Sequence, residues 1–235
     1  MKLFVRRLLH YFFSNLQRYK KNNVEEIFTD IYKKNIWGGV KGEFYSGDGS
    51  SDDEIVSPYI SCISYEANNE NFFGATFVDL GCGDFRVGRK LLPLCSNYIG
   101  VDIVEALIKN NNIKYRNKKT QFCHLNITDD VLPTGDVCFI RQVFQHLSNE
   151  NIMSILPKLR KYTWVFITEH YPTGNDAIIP NIDKRSGSDI RIRNNSGVYL
   201  SEHPFNLPKE TIRDVLKISY SKGGEIRTFL YKPND

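Results

Sequence analysis

Between Thr76 and Lys232, short apolar runs alternate with longer mixed ones. The runs TFVDLG (76–81), NYIGVD (97–102), TQFCHLN (120–126), DVCFIR (136–141) and TWVFITEH (163–170) are rich in Val, Ile and Phe and read as strands. The stretches between them, RVGRKLLPLC (86–95), IVEALIKNNN (103–112) and NENIMSILPKLRKY (149–162), read as helices. Strands that are apolar on both faces, separated by helices, predict a parallel sheet covered on both sides. The end of the chain departs from this alternation. VLKISYS (215–221) and EIRTFLYK (225–232) are separated only by Lys222-Gly223-Gly224, which predicts a hairpin and an antiparallel last pair. The expected fold is therefore α/β, a seven-stranded, mostly parallel sheet that ends in an antiparallel hairpin.

Two irregular stretches interrupt this order: residues 36–54, IWGGVKGEFYSGDGSSDDE, and the long Pro/Gly/Asn-rich segment from Tyr171 to Pro208. Both flank the carboxyl ends of strands, where open α/β sheets bind ligands, and loops this long in a compact domain are usually functional or disordered. At the N-terminus, Phe4, Leu8, Phe12 and Leu16 recur every four residues, with Arg6, Arg7, His10, Ser14 and Arg18 elsewhere on the wheel. This predicts an amphipathic helix. Its stripe packs on its own domain or on a second copy of the chain, or else lies on a membrane surface. The expected organisation is an amphipathic helix and helical cap over residues 1–70, then a main domain over 71–235 with a substrate-loop insertion at 171–207.

Composition changes this picture only in part. The net charge of +4 comes from the first 22 residues, which hold six Lys or Arg and no acid, so the domain itself offers no general nucleic-acid surface. Five cysteines lack CxxC or Cys/His ligand spacing, which predicts no metal site and reduced thiols in a cytoplasmic protein. Arg6 and Arg7 break the opening apolar run too early for a signal peptide, and no stretch is apolar enough to span a bilayer. The expected location is the cytoplasm, with the inner face of the membrane as the alternative.

The candidate chemistry begins at FVDLGCGDFRVG (77–88), where a strand runs through Gly81-Cys82-Gly83 into a helix. The glycines allow a tight turn and close approach to a ligand, and the following helix offers free N–H groups. Asp79 precedes the turn, and Asp102 closes the second strand, where a carboxylate is placed to accept two ribose hydroxyls. Nicotinamide dinucleotides and S-adenosylmethionine both satisfy that pattern. A dinucleotide fingerprint wants a further glycine where Arg86 stands. Asp79 suits an ammonium and a sulfonium better than a pyrophosphate, and the terminal hairpin is the third discriminating feature.

These motifs resemble the class I S-adenosylmethionine-dependent methyltransferases, a Rossmann-like family, over roughly residues 76–232. The resemblance implies that Asp79, Gly81 and Gly83 hold the methionine end of the cofactor and that Asp102, with Ile103 beside it, takes the ribose. It also implies that Asn126 and Ile127 lie against adenine and that Arg141 and Gln142 form the cofactor floor. Phe85 stands where the family has its third glycine, a departure that bears on the shape of the loop. A finer resemblance, through WGG, SGDGSS, GCGDFRVG, RQVFQHLSN and NSGVYL, is to methyltransferases of surface-polysaccharide and capsule biosynthesis. It implies an acceptor that is a sugar hydroxyl, or an acidic, phosphate-type group, on a glycan or its precursor.

Among candidate catalytic residues, His146 follows the fourth strand and has a ring suited to a general base, although it could instead donate to a backbone carbonyl without touching substrate. Ser148-Asn149-Glu150 supplies the cap for the next helix, so His146 is not needed there. Glu169 and His170 end the fifth strand and could pair as a base with its orienting partner, but adjacent strand residues point to opposite faces. In the long loop, Lys184 and Arg191 are candidates for an acidic group and Tyr199 for substrate contact. Trp37 is a candidate cover for the cofactor. Ser46 to Ser51 have at most a weak ligand role, because Ser50 or Ser51 with Asp53 or Glu54 resembles a capping box. No Asn/Asp-Pro-Pro-aromatic tetrapeptide closes the fourth strand, which argues against methylation of an adenine or glutamine nitrogen. The expected activity is O-methylation of a glycan or other small acceptor. The alternatives are methylation of another small metabolite, a nicotinamide-dependent oxidoreductase and a noncatalytic cofactor-binding module.

Overall fold

A computed structural model describes residues 24–174 and 177–234. The N-terminal amphipathic helix expected in residues 1–21 lies outside them. Seven strands form one sheet: β1 (Ala75–Leu80), β2 (Cys95–Asp102), β3 (Thr120–His124), β4 (Val137–Arg141), β5 (Trp164–Tyr171), β6 (Ile212–Ser219) and β7 (Glu225–Tyr231). Their order is β3-β2-β1-β4-β5-β7-β6. The first five are parallel, and β7 inserts antiparallel between β5 and β6. The chain reverses its direction of travel across the sheet between β1 and β4, which opens a crevice at their carboxyl ends.

Both faces of the sheet are buried, as the unbroken apolar runs require. On one face Val78, Leu80, Val101, Ile140 and Ile167 pack with Ile152 and Ile155. On the other, Phe77, Phe139 and Phe166 pack with Tyr59, Ile63 and Ala67. These last three belong to a long helix, Asp53–Asn69. The region expected to be a helical cap supplies a helix of the sheet's covering layer. Among the described residues no helix is long and apolar enough to cross a membrane.

Two helices are shorter than expected, and each shortening falls at a proline. The run 86–95 is helical only at Gly88–Leu91 and tightens to a 3₁₀ turn at Leu92–Leu94 around Pro93. Likewise Asn149–Ile155 passes into a 3₁₀ segment, Leu156–Lys161, at Pro157. Proline has no N–H to donate back, and its ring crowds the preceding turn. Ser148 caps its helix as expected, accepting from Asn151 N at 3.3 Å. The cap of the long N-terminal helix is instead Asp52, which accepts from Glu54 N at 3.1 Å, so Ser50 and Ser51 form no capping box.

Candidate functional site

An open cleft lies over the carboxyl ends of β1, β2 and β4. Its central wall is the turn after β1. Gly81 (φ +82°), Gly83 (φ +54°) and Phe85 (φ +64°) all take the left-handed conformation, so Phe85 keeps the loop shape that a third glycine would give. That conformation costs a non-glycine residue about 1 kcal/mol, and packing holds it: the Phe85 ring lies 5.0 Å from that of Tyr98 and 4.9 Å from that of Phe122. A Cβ on Gly81 would stand 2.5 Å from Val143 Cγ2, and one on Gly83 would stand 2.4 Å from Ser46 Oγ.

The contact with Ser46 is part of a strap. Ser46 N donates to Asp84 Oδ2 at 3.2 Å, Asp84 N donates to Ser46 Oγ at 2.8 Å, and the Tyr32 hydroxyl shares that same Oγ at 2.8 Å. The segment before the sheet is thereby fastened over the glycine turn, and with it come Phe28, Tyr32 and Trp37 as an aromatic wall of the cleft. Sequence reasoning missed Tyr32 and gave Ser46 only a weak role. The available signal was the aromatic and glycine-rich stretch itself, which pointed to no particular partner.

Asp102 is buried and lines the cleft, accepting from Gly83 N at 3.1 Å and Val104 N at 3.0 Å. One donor on each oxygen holds the carboxylate in place and leaves each with capacity for a further hydrogen bond. Burial pushes its pKa up, and these N–H groups oppose the shift. Asp79 is also buried at the cleft, where burial raises its pKa to about 6 against the hydrogen bond donated by the Tyr98 hydroxyl. Ile103, Asn126 and Ile127 line the cleft beside Asp102. The Asn126 side chain is folded back onto Thr128 and Asp129, and Lys158 Nζ ties the turn through the carbonyls of Ile127, Thr128 and Asp130. Arg141 and Gln142 lie on the floor, Gln142 at φ +56° with its N–H on Thr168 O at 2.7 Å.

His146 lines the cleft in a 3₁₀ turn, Phe144–His146, with its ring 5.0 Å from that of Trp37. Nδ1 lies 3.2 Å from Gly187 O, which takes its hydrogen, so Nε2 carries the lone pair. The Gln145 side-chain amide lies 3.3 Å from that Nε2. Burial, helped by the Lys184 charge, pushes the imidazole pKa down to about 4. One ring nitrogen thus serves a backbone carbonyl, and the other stands unprotonated at the cleft.

The remaining candidates are not brought there. Glu169 is fully buried, and its carboxylate accepts from Val143 N at 3.2 Å, Phe144 N at 2.9 Å and Gln145 N at 3.0 Å, which makes it a brace behind the His146 turn. His170 faces the terminal hairpin, with Nε2 2.7 Å from Gly223 O. The substrate-contact candidates are corrected in the same way. Arg191, although cationic, is buried with its guanidinium on the carbonyls of Ile182 and Leu147. Lys184 Nζ donates to His146 O at 3.3 Å and Arg185 O at 2.8 Å, and Tyr199 packs edge-on against Tyr171. None of these five side chains lines the cleft.

Residues 78–162 match the family model described as a methyltransferase domain. No curated protein matches the chain. Among solved structures, a S-adenosylmethionine-dependent methyltransferase from Leishmania major is 14% identical with a TM-score of 0.58, covering 89% of this chain and 81% of its own. Magnesium protoporphyrin IX methyltransferase from Synechocystis, with S-adenosylhomocysteine bound, is 12% identical with a TM-score of 0.56 over 89% of this chain and 100% of its own. The N-methyltransferase NodS from Bradyrhizobium japonicum, also with S-adenosylhomocysteine, is 9% identical with a TM-score of 0.55 over 77% and 89% of the two chains. The seven-stranded fold is that of the class I methyltransferases.

Proposed function

We propose that this methyltransferase domain transfers a methyl group from S-adenosylmethionine to a sugar hydroxyl of a surface glycan or of its precursor. The residues present fit the cofactor. Asp102 is fixed with spare acceptor capacity for the ribose, the glycine turn admits close approach, and the floor holds buried donors with no partner. When bound, S-adenosylmethionine supplies an electrophilic methyl group on its sulfonium. Asp102 would hold the ribose hydroxyls, Ile103 and Ile127 the adenine, and Asp79 the methionine end.

The observation that carries transfer to a hydroxyl is the neutral His146 ring at the cleft, with Nδ1 anchored and Nε2 the acceptor. As the acceptor oxygen attacks, Nε2 takes its proton in place of the hydrogen bond that the Gln145 amide donates to it, and the walls supply the in-line positioning that provides much of the rate. An acidic acceptor is less well supported, because Lys184 and Arg191 are engaged by backbone carbonyls and do not reach the cleft. Phe28, Tyr32 and Trp37 form the kind of apolar ring surface against which the C–H face of a sugar packs. The glycan assignment rests on this wall and on the resemblance carried by the WGG, SGDGSS and NSGVYL stretches.

The test is to supply the protein with S-adenosylmethionine and a panel of nucleotide sugars and surface-glycan fractions, with products read by mass spectrometry. One methyl gained on a sugar oxygen, and lost from the glycan of cells lacking the gene, is the expected result. Transfer to nitrogen or to a carboxylate overturns the reading.

Two cofactor predictions follow from the acids. Asp102→Ala should weaken S-adenosylmethionine binding by about 1 to 3 kcal/mol, measured by calorimetry, and unchanged affinity refutes the ribose role. Asp79, held near 6, becomes protonated as pH falls through that value, whereas a bound ammonium favours its charged form. Affinity should therefore fall below about pH 6, and binding at that pH should release a proton. Calorimetry in buffers of different ionisation enthalpy reads that proton directly.

A further inference from the structure

We infer that Gln145, which does not itself line the cleft, is a positioning residue for the base: its side-chain amide decides which nitrogen of His146 carries the hydrogen and keeps the nitrogen at the cleft unprotonated. The inference rests on the reading of His146 as the base and adds a residue to it. It begins in the sheet. The last pair between β4 and β5 is Arg141 with Thr168, and Gln142 N reaches Thr168 O just beyond it, so β5 outruns its neighbour. In a parallel strand every second residue turns its N–H to the same side. The N–H of His170 therefore faces the side that β4 has left, and Gln145 Oε1 accepts it at 3.2 Å.

A backbone N–H can only donate, so the amide oxygen is committed to His170 and the NH₂ end is turned to His146, whose Nε2 it meets at 3.3 Å. An NH₂ group has no lone pair to offer. Nε2 is thereby the acceptor, and the ring hydrogen sits on Nδ1, which donates to Gly187 O at 3.2 Å. Gln145 is buried and its own backbone N–H is held by Glu169 Oε2 at 3.0 Å, so the amide has little freedom to turn. Once Nε2 has taken the acceptor's proton, two N–H groups face each other, which favours release of that proton to solvent and return of the neutral ring. The charges around the ring act on other atoms. Lys184 Nζ lies on His146 O, Arg191 on Leu147 O and Glu169 on the N–H groups of the turn. Asp183 holds Asn149 N, Asp189 pairs with Arg193, and Asp79 and Arg141 stand on the cleft floor. All of them are the same in every variant below, so a difference between variants reads position 145.

The test follows the His146 ring by NMR without added cofactor, and kcat at saturating cofactor, in wild type, Gln145→Met and Gln145→Glu. The ring's signals are those lost in His146→Asn. Wild type should show the hydrogen on Nδ1 and protonation only near pH 4. Glu keeps one oxygen for His170 N and offers the other to a protonated Nε2. In Gln145→Glu the ring should therefore become protonated between about pH 5 and 7, at about 10- to 1000-fold lower proton concentration, and the acid limb of kcat should move up with it. Met neither donates nor accepts. Gln145→Met should shift both in the same direction by less, and it carries the test alone if the Glu variant does not fold. A wild-type ring with its hydrogen on Nε2, or rings that titrate alike in wild type and the folded variants, overturns the inference alone. A ring that shifts as expected while kcat keeps its wild-type acid limb overturns the base reading, and with it the part of Gln145 in transfer.

Discussion

Replacing His146 with Asn should lower kcat by about 10²- to 10⁴-fold and leave cofactor affinity unchanged. Asn keeps a donor for Gly187 O, so the ring's anchoring contact has a substitute, whereas the basic nitrogen does not. The pH dependence separates base from binding residue. With the imidazole held near 4, the base is already unprotonated at neutral pH, so wild-type kcat at saturating cofactor should be flat through the neutral range and fall only toward pH 4. Below about pH 6, kcat/KM for the cofactor should decline separately through Asp79. An Asn variant with unchanged kcat and raised KM for the acceptor would make His146 a binding residue and remove the base from the mechanism.

How much of this was legible depends on how local the signal is. The seven strands follow from apolar runs whose period needs no tertiary information, and the site residues at their carboxyl ends follow from the strands. Asp79, Asp102, Ile103, Arg141, Gln142 and His146 are therefore found at the cleft where the sequence places them. Asn126 is there too, although its amide is engaged by its own turn. Side-chain direction at the end of β5 is a different matter. Glu169 and His170 do point to opposite faces, as alternation requires, but one meets the turn after β4 and the other the hairpin, so neither face opens on the cleft. The charges of the long loop misled for a related reason. A buried cation can be satisfied by main-chain carbonyls, and Arg191 and Lys184 are. Tyr32 and Ser46 were hidden because their value comes from Asp84, 38 residues beyond Ser46, which only the folded chain brings near.

Glu169→Ala should destabilise the protein by about 3 to 5 kcal/mol and should also disturb transfer. One carboxylate satisfies three consecutive backbone N–H groups, from Val143 to Gln145, inside a buried turn, and no other acceptor is offered to them. Burial raises the Glu169 pKa to about 8, opposed chiefly by those same donors. Loss of the brace leaves the donors without a partner, and the affected turn runs directly into His146. Urea unfolding measures the stability loss, and Glu169→Gln, which keeps one oxygen, should lose less. Stability alone would not show that the brace positions the base. A kcat cycle with Glu169→Gln, His146→Asn and the double variant would, because a residue that acts through His146 adds no further loss once the imidazole is gone. Additive losses would make Glu169 a structural brace only, with no share in catalysis.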